Sequence, residues 1–141
     1  MNKLINFKKF GDPDRGYLSF FEAHKDIPFK IKRIYYTYDV AADTRRGLHA
    51  HKELQQVLWC PYGRIEVVLD DGFKKKSFFL DSPEKALLVG RGIWRDLYWR
   101  KDDSVLCVAA SQHYNEEDYI RDYYEFMEYV KRGYWKNESK L

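Results

Sequence analysis

The chain has 141 residues, which is enough for one domain with a real core and too few for two. Hydrophobic residues make up 45% and aromatic residues 18% of it, a composition that excludes a disordered chain despite 33% charged residues. The net charge of +3 gives no reason to expect a nucleic-acid partner, but it is compatible with a pocket for a polyanion such as a pyrophosphate.

Nothing in the sequence indicates a targeting or membrane segment. The first nine residues have the pattern of a short strand and lack the apolar stretch of a signal peptide. No apolar run approaches the roughly 20 residues that a membrane-spanning helix needs. Cys60 and Cys107 both lie in strand-like apolar runs, where buried thiols are expected and a disulfide or metal pair is not. We therefore expect a cytoplasmic protein with no membrane partner.

Alternation of apolar and polar residues with a period of two dominates the chain as far as Ala110, which predicts β-strands. Turn sequences separate the strands, and the Asp71-Gly72 step between two alternating runs predicts a tight hairpin. Many short strands at such regular spacing are typical of a sandwich or a barrel. The predicted strands are Leu4–Phe7, Leu18–Phe21, Ile31–Asp39, Gly47–His51, Gln55–Cys60, Arg64–Leu69, Lys75–Leu80, Lys85–Val89, Asp96–Trp99 and Val105–Ala110.

The last part of the chain has a helical pattern instead. Asn115 followed by three acidic residues is typical of a helix N-terminus, and Gly133 after two basic residues is typical of its end. The sequence therefore predicts a helix over about 115–132 that packs an aromatic stripe on the barrel, followed by a frayed terminus from Trp135 to Leu141. The stripe consists of Tyr119, Ile120, Tyr123, Phe126, Met127 and Val130.

Two histidines are the most informative residues of the sequence. His49 and His51 are two residues apart on a predicted strand, so both side chains project from the same face. Gln56 begins the next strand and Gly63 lies seven residues further on. This arrangement resembles the first cupin motif, in which His-x-His, a Glu and a later Gly line a small barrel. In metal-binding cupins the two His and the Glu are ligands, and a later Pro-x-Gly-x-x-His segment supplies a third His.

The residues that match the remaining ligands argue against a metal. The later segment corresponds to Gly90 through Arg95, where the ligating His is replaced by Arg95, and the Glu is replaced by Gln56 or, with shorter spacing, Gln55. A guanidinium stays cationic and has no lone pair to offer a metal. Two histidines are too few for a site that needs three or four protein ligands. We therefore expect no metal and no cofactor, and interpret the histidines as acid–base groups.

Longer stretches resemble a narrower family, the dTDP-sugar 3,4-ketoisomerases. The resemblance is collinear and covers nearly the whole chain. It implies an all-β fold, a cupin (jelly-roll) barrel over about 1–111 with a C-terminal helix, in a single domain of residues 1–141. It also implies a homodimer, often with exchanged N-terminal strands, and a dTDP-4-keto-6-deoxyglucose substrate leading to 3-amino sugars of cell-surface polysaccharides. The matching runs are Ile27–Tyr36, Arg46–Lys52, Leu54–Cys60, Leu69–Gly72, Leu80–Pro83, Val89-Gly90, Ala110-Ser111 and Tyr114–Arg121.

The ketoisomerase reaction requires a base for the proton at C3, donors for the developing oxyanion and exclusion of water. The family motif implies that His51 is the base and that His49 hydrogen-bonds or relays protons at the sugar oxygens. Tyr36 and Tyr38 share one face of the preceding strand and Tyr35 points the other way, so one of these phenols is expected to support the site. We take Tyr36 as the catalytic candidate and Tyr38 as a substrate contact, although packing is the commoner role for a single tyrosine.

Several arginines, together with Gln56, are the candidates for substrate binding. Arg33 and Arg46 suit the pyrophosphate, because planar guanidinium groups bind phosphate oxygens in pairs, although either alone could equally be a surface charge. Arg15, Tyr17 and Arg95 are candidates for selecting the face of C4 that is protonated. Family members that give the galacto product carry His where this chain has Arg95, which favours the gluco epimer.

Three other functions compete with this prediction. A nucleotide-sugar 3,5-epimerase uses similar carbanion chemistry, but its motif arrangement differs from the one around the two histidines. A non-catalytic cupin that only binds a sugar nucleotide would share the barrel. A metal-dependent cupin oxygenase or isomerase would require ligands that this chain replaces with Arg95 and Gln56.

Overall fold

The computed structural model describes residues 1–141 and contains twelve strands, one short 3-10 turn and one helix. The turn spans Glu116–Asp118 and the helix, α1, spans Tyr123–Lys131. The strands are β1 (Lys3–Asn6), β2 (Lys8–Asp12), β3 (Gly16–Phe20), β4 (Arg33–Thr37), β5 (Arg45–His51), β6 (Gln56–Tyr62), β7 (Ile65–Asp70), β8 (Lys75–Leu80), β9 (Lys85–Val89), β10 (Trp94–Trp99), β11 (Val105–Ala110) and β12 (Tyr119–Ile120).

Two five-stranded antiparallel sheets face each other, with strand orders β1-β9-β6-β11-β4 and β12-β5-β10-β7-β8. A cluster of 15 buried side chains from both sheets fills the space between them, including Leu58, Leu69 and Trp99. Burial of this apolar surface is the main stabilisation of such a fold. The predicted all-β cupin barrel with a C-terminal helix is confirmed.

Two smaller apolar clusters cover the outer faces of the sheets. On the first sheet, Phe7, Ile27 and Phe29 pack on residues that include Val57 and Leu88. On the second sheet, Ala50 and Trp94 are covered by side chains from the C-terminal part of the chain, namely Ile120, Phe126 and Trp135. The outward-facing Ala50 matters for function because it lies between the two histidines.

Each of the ten predicted strands overlaps a strand of the structure, and three of them have identical bounds. The sequence missed β2, which has a single large apolar side chain, Phe10, and is exposed along its whole length. β2 and β3 pair only with each other and form a separate two-stranded sheet. This hairpin exposes large apolar side chains, among them Phe10 and Leu18.

The predicted start of the helix is wrong. Asn115 does cap a structure, since its side chain accepts a hydrogen bond from the Glu117 N–H, but that structure is only the short turn. Tyr119 and Ile120 then pair as a strand with His51 and Ala50. The helix begins eight residues later than predicted, after an N-cap at Asp122 whose side chain accepts from the Tyr124 N–H. Pairing with β5 and burial of Ile120 outweigh the local helical preference, as tertiary contacts often do.

The prediction of a frayed terminus is also wrong. Trp135 is only 4% exposed and its indole Nε1 donates to the backbone oxygen of Lys52 at 3.0 Å. The Leu141 N–H donates to Asp71 at 2.9 Å, and the Asn2 side chain donates to the Ser139 carbonyl. Residues after α1 therefore fold back along the second sheet.

Both cysteines are free thiols, with Cys60 buried and Cys107 half-buried. Burial raises the pKa of the Cys60 thiol to about 11, which keeps it protonated and unreactive at neutral pH. α1, the longest helix, is too short to span a bilayer, and the structure contains no helix that could do so.

Candidate active site

A bulge in β5 sets the direction of the two histidines. Gly47 and Leu48 both have positive φ, 83° and 61°, opposite the register shift between Arg95 and Asp96. A side chain at Gly47 would lie 2.9 Å from the Arg95 carbonyl oxygen, so only glycine fits there. A non-glycine residue such as Leu48 in this region costs roughly 1–3 kcal/mol, a strain that is common beside functional sites. Beyond the bulge His49 and His51 lie at one end of the barrel, and Ala50 faces outward.

Four strands bring polar side chains to that end. His51 ends β5, whereas Gln56 begins β6 and Arg95 lies one residue into β10. Arg33, at the start of β4, pairs with Ala110, and so does Gln56 from the other side of β11. Antiparallel pairing thus gathers residues that are up to 62 positions apart in sequence, from Arg33 to Arg95, around the histidines.

A carboxylate supports His51. The imidazole of His51 is completely buried, and its Nδ1 lies 3.1 Å from Oδ2 of Asp118. The other oxygen of Asp118 accepts the Glu53 N–H at 2.8 Å, which fixes the carboxylate. An ionised carboxylate can only accept, so Nδ1 of His51 carries the proton and Nε2 carries the lone pair. Nε2 has no hydrogen-bond partner within the protein and is therefore free to accept a proton.

Burial keeps both imidazoles neutral. Burial, together with the smaller effect of the Arg95 cation, lowers the pKa of His49 to about 3. The pKa of His51 is lowered to about 4, also by burial, because the opposing effect of Asp118 only partly compensates. Burial alone would raise the pKa of Asp118, but hydrogen bonds from His51 and the Glu53 N–H hold it below its usual value. At neutral pH the site holds two neutral bases, one of which has an ionised carboxylate behind it.

A buried chain of hydrogen bonds lies beside the histidines. Arg95 is 1% exposed and donates to Oε1 of Gln56 and, at 2.7 Å, to the Ile93 carbonyl oxygen. Gln56 in turn donates through Nε2 to the Tyr35 hydroxyl at 3.1 Å. Burial lowers the pKa of Arg95 to about 10, which still leaves it charged at neutral pH. The hydrogen-bond partners of this cation are an amide and a carbonyl, and no carboxylate is hydrogen-bonded to it.

The positions that match cupin metal ligands are therefore occupied by an Arg–Gln pair. Neither a guanidinium nor a primary amide that already binds it is a suitable ligand. The structure also contains no group of three or more His, Cys, Asp or Glu side chains that could hold a metal ion.

A cleft of 290 Å³ opens onto His49. Arg33 lies in it with its guanidinium 5.2 Å from the ring of Tyr35 and 5.5 Å from the ring of Tyr114. Nε and Nη2 of Arg33 have no hydrogen-bond partner in the protein. Arg121, by contrast, is paired with Glu116 at 2.6 Å. The lining residues are Arg33, Tyr35, Arg46, Gly47, His49, Tyr114, Tyr119 and Arg121.

The structure does not bring every predicted residue to this cleft. Tyr36, the predicted catalytic phenol, is 63% exposed and lies on the outer face of β4 beside Tyr38, so neither lines this cleft, whereas Tyr35 does. Arg15 lies at the turn of the β2–β3 hairpin, and Tyr17 on β3 is 54% exposed. Neither residue lines the cleft of its own chain. Arg33, Arg46, Arg95, Gln56 and both histidines do converge as predicted.

Several residues of the site were missed, because they lie where a helix was expected. Asp118 and Tyr119 reach the histidines from the turn and β12, and the Tyr119 ring lies 4.4 Å from that of His51. Tyr114 and Arg121 flank the cleft from the same segment. The run Tyr114–Arg121 could have indicated these residues, because it resembles the ketoisomerases and includes polar residues that lie outside the apolar stripe.

Known proteins resemble this chain over most of its length. The family model described as FdtA, WxcM-like, C-terminal, matches residues 1–131. The chain belongs to this family. A TDP-4-oxo-6-deoxy-alpha-D-glucose-3,4-oxoisomerase from Aneurinibacillus thermoaerophilus is 47% identical over 131 residues, which cover 93% of this chain and 94% of that protein.

Two solved structures of 3,4-ketoisomerases superpose closely. The enzyme from Helicobacter canadensis is 47% identical, with a TM-score of 0.87 over 92% of this chain and 96% of its own. A His-to-Asn variant of QdtA from Thermoanaerobacterium thermosaccharolyticum, in complex with TDP-4-keto-6-deoxyglucose, is 38% identical, with a TM-score of 0.87 over 92% and 94%. The resemblance to sugar 3,4-ketoisomerases that the sequence motifs indicated is confirmed.

Proposed function

We propose that this chain converts TDP-4-keto-6-deoxyglucose into its 3-keto isomer by proton transfer through an enediolate. The observation that carries the proposal is the buried pair of His51 and Asp118 beside a cleft lined by arginines. A neutral imidazole backed by a carboxylate is a base, and the arginines suit a pyrophosphate. A relative that is 47% identical is named as a 3,4-oxoisomerase of this sugar nucleotide. A solved structure that is 38% identical is a complex with TDP-4-keto-6-deoxyglucose.

The reaction moves a carbonyl by one carbon without any net change of oxidation state. A base removes the proton from C3, and its electron pair forms a C3–C4 double bond while the C4 ketone becomes an oxyanion. The proton of the C3 hydroxyl passes to the oxygen on C4, and C3 becomes the ketone as a proton returns to C4. One proton is taken up by the sugar for each proton that leaves it, so the step needs no oxidant or reductant.

His51 is the better candidate for the base. Both imidazoles are desolvated, but only His51 has a carboxylate partner, which stabilises the imidazolium that forms when it accepts the proton. His49 has no such partner and the lower pKa, about 3. It lines the cleft directly, where it can carry the proton between the two sugar oxygens.

The negative charge that develops on the sugar oxygen needs a fixed positive group. Arg95 is a buried cation without a carboxylate partner, so its field is available to an oxyanion in the adjacent site. Gln56 holds Arg95 and is itself held by Tyr35, which keeps the arrangement rigid. Arg33 and Arg46 remain for the diphosphate of the nucleotide, since Arg121 is paired with Glu116.

The test is proton NMR of TDP-4-keto-6-deoxyglucose incubated with the protein in deuterated buffer. We expect the ketone to move from C4 to C3, with deuterium entering at C4 of the product, because C3 then carries no hydrogen. His51→Asn should lose conversion by about 10²–10⁴-fold, the contribution typical of a general base. Exchange at C5 instead would indicate a 3,5-epimerase, and binding without conversion by the wild type would indicate a binding protein; either result contradicts the proposal. The same assay in ordinary water keeps a proton at C4, and its coupling to the C5 proton reports the configuration at C4.

We also propose a homodimer in which the β2–β3 hairpins pack on the neighbouring copy. A two-stranded hairpin is marginal on its own, and this one exposes Phe10 and Leu18 by 56% and 61%. Packing on a second copy covers these side chains and offers Arg15 and Tyr17 to a neighbouring cleft. Sedimentation analysis should show a dimer that Leu18→Glu weakens; a monomeric wild type contradicts this arrangement.

The chemistry of the product indicates which reaction follows. A 3-keto sugar nucleotide is a substrate for transamination at C3, so we propose that the chain serves the synthesis of 3-amino sugars for surface polysaccharides. A cytoplasmic location is supported by two free thiols, which persist in a reducing compartment.

A further inference from the structure

Trp135 lies outside residues 1–131 that the family model matches, so the family match assigns it no role. Its side chain is only 4% exposed and packs against Phe126 and Tyr129 at ring distances of 5.7 and 5.6 Å. Packing alone would be served by any aromatic ring. The indole also donates its N–H to the Lys52 carbonyl oxygen at 3.0 Å, a contact that phenylalanine could not make.

This contact reaches the backbone of the catalytic strand. Lys52 directly follows His51, and the carbonyl oxygen of His51 accepts the Gly92 N–H at 3.0 Å. Gly92 in turn lies against the indole, because a side chain at this position would collide with the ring of Trp135. One side chain therefore holds two consecutive carbonyls at the end of β5, the first through Gly92 and the second directly.

The N–H of the peptide group between His51 and Lys52 is held by the segment that contains Asp118. The Lys52 N–H donates to the Asp118 carbonyl oxygen at 3.0 Å, and Ala50 packs in the same cluster as Trp135. The backbone from which His51 projects is thus fixed between Asp118 on one side and Trp135 on the other. Small displacements of a catalytic group are costly, since about 1 Å of misplacement can reduce a rate roughly 100-fold.

We infer that Trp135 is a positioning residue for His51, acting through the hydrogen bond from its indole N–H to Lys52 and its contact with Gly92. The inference rests on the proposed role of His51 as the base. It assigns a catalytic consequence to the segment after α1, which closes over the outer face of β5 and never enters the cleft.

The test compares Trp135→Phe with Tyr134→Phe. The first variant keeps an aromatic ring and removes the N–H donor. The second is a matched control, because Tyr134 belongs to the same aromatic group, 5.3 Å from Trp135, and loses its own hydrogen bond to Glu53 at 3.0 Å without touching the His51 backbone. Trp135→Tyr serves as a second variant without the indole N–H.

Four measurements separate positioning of His51 from general structural support. We expect Trp135→Phe to lower kcat about tenfold with the Kd for TDP unchanged, whereas Tyr134→Phe leaves kcat within twofold. Nitrogen-15 NMR of histidine-labelled protein should show displaced ring resonances for His51 in Trp135→Phe alone, and hydrogen exchange should accelerate at the Gly92 amide.

Unchanged His51 resonances and kcat in Trp135→Phe overturn the inference, as do equal changes in the Tyr134→Phe control. If the wild type does not convert the sugar, the proposed function has failed. The His51 resonances and Gly92 exchange, measured without substrate, then still decide whether Trp135 positions the histidine.

Discussion

His51 and Asp118 lie 67 residues apart in sequence, yet their side chains meet at 3.1 Å in a buried contact. The carboxylate fixes the tautomer of the imidazole and provides a counter-charge for the imidazolium that forms during proton abstraction. Because the pair is shielded from water, this effect is larger than it would be at the surface.

Replacing Asp118 by Asn should therefore reduce the rate without unfolding the protein. An amide can offer an N–H toward Nδ1, which favours the wrong tautomer, and it carries no charge to stabilise the imidazolium. We expect kcat to fall by roughly 100-fold and KM to stay within threefold, measured by the NMR assay. Asp122→Asn is the matched control, since asparagine also caps a helix and Asp122 is exposed. Equal kcat values for the two variants would contradict the role of Asp118.

Stability should depend on pH through the two histidines. An unfolded histidine has a pKa of about 6.5, whereas burial lowers the pKa of His49 to about 3 and of His51 to about 4. Between about pH 4 and 6.5 the unfolded chain binds protons on these residues that the folded chain does not bind. The free energy of unfolding therefore falls as the pH falls through this window, by at most about 1.4 kcal/mol per pH unit for each histidine.

The contribution of Asp118 lies outside that window. Its pKa is held below the usual value of about 3.9, so its stabilisation is lost only as the pH falls below that value. Urea unfolding at pH 7 and pH 5 measures the effect of the histidines. A variant with His49→Gln and His51→Gln should lose less stability over the same interval, and an undiminished loss in this variant would assign the dependence to other groups.

The strands were predictable because local patterns determine them. Alternation and turn residues located all ten predicted strands, and the spacing of His49 and His51 placed them on one face. The pairing of Tyr119 with His51 is different, since it depends on a partner strand 68 residues earlier in the chain. No local sequence pattern predicts such a contact, and the helical spacing of apolar residues around Tyr119 predicted a helix instead.

The choice between Tyr35 and Tyr36 could have been made from the sequence. Alternation places Tyr35 and Tyr36 on opposite faces of β4 but does not tell which face is inside. Arg33, however, is two residues from Tyr35 and shares its face, so assigning Arg33 to the site required Tyr35 as the phenol. In the structure Arg33 and Tyr35 both line the cleft.

Substitution of these neighbouring tyrosines provides a direct test. Tyr35→Phe removes the hydroxyl that accepts from Gln56, and so loosens the amide that holds Arg95. We expect kcat to fall at least tenfold, with stability reduced by about 1 kcal/mol for one lost hydrogen bond. Tyr36→Phe should leave kcat unchanged, because this phenol is exposed on the other face. A larger effect of Tyr36→Phe would instead show that the outer face of β4 takes part in the reaction.

Arg33 should control the affinity for the nucleotide and leave the chemistry unaffected. Tyr35 and Tyr114 flank its guanidinium, and two of its nitrogens have no partner in the protein. Arg33→Lys keeps the charge but loses the planar pair of donors that matches a phosphate. A charged hydrogen bond is worth about 1.5–3 kcal/mol, so the Kd for TDP, measured by calorimetry, should rise at least tenfold while kcat at saturation changes little. Arg64→Lys is the control, since Arg64 stacks on Phe79 away from the cleft. If both variants bind TDP as the wild type does, Arg33 does not hold the diphosphate.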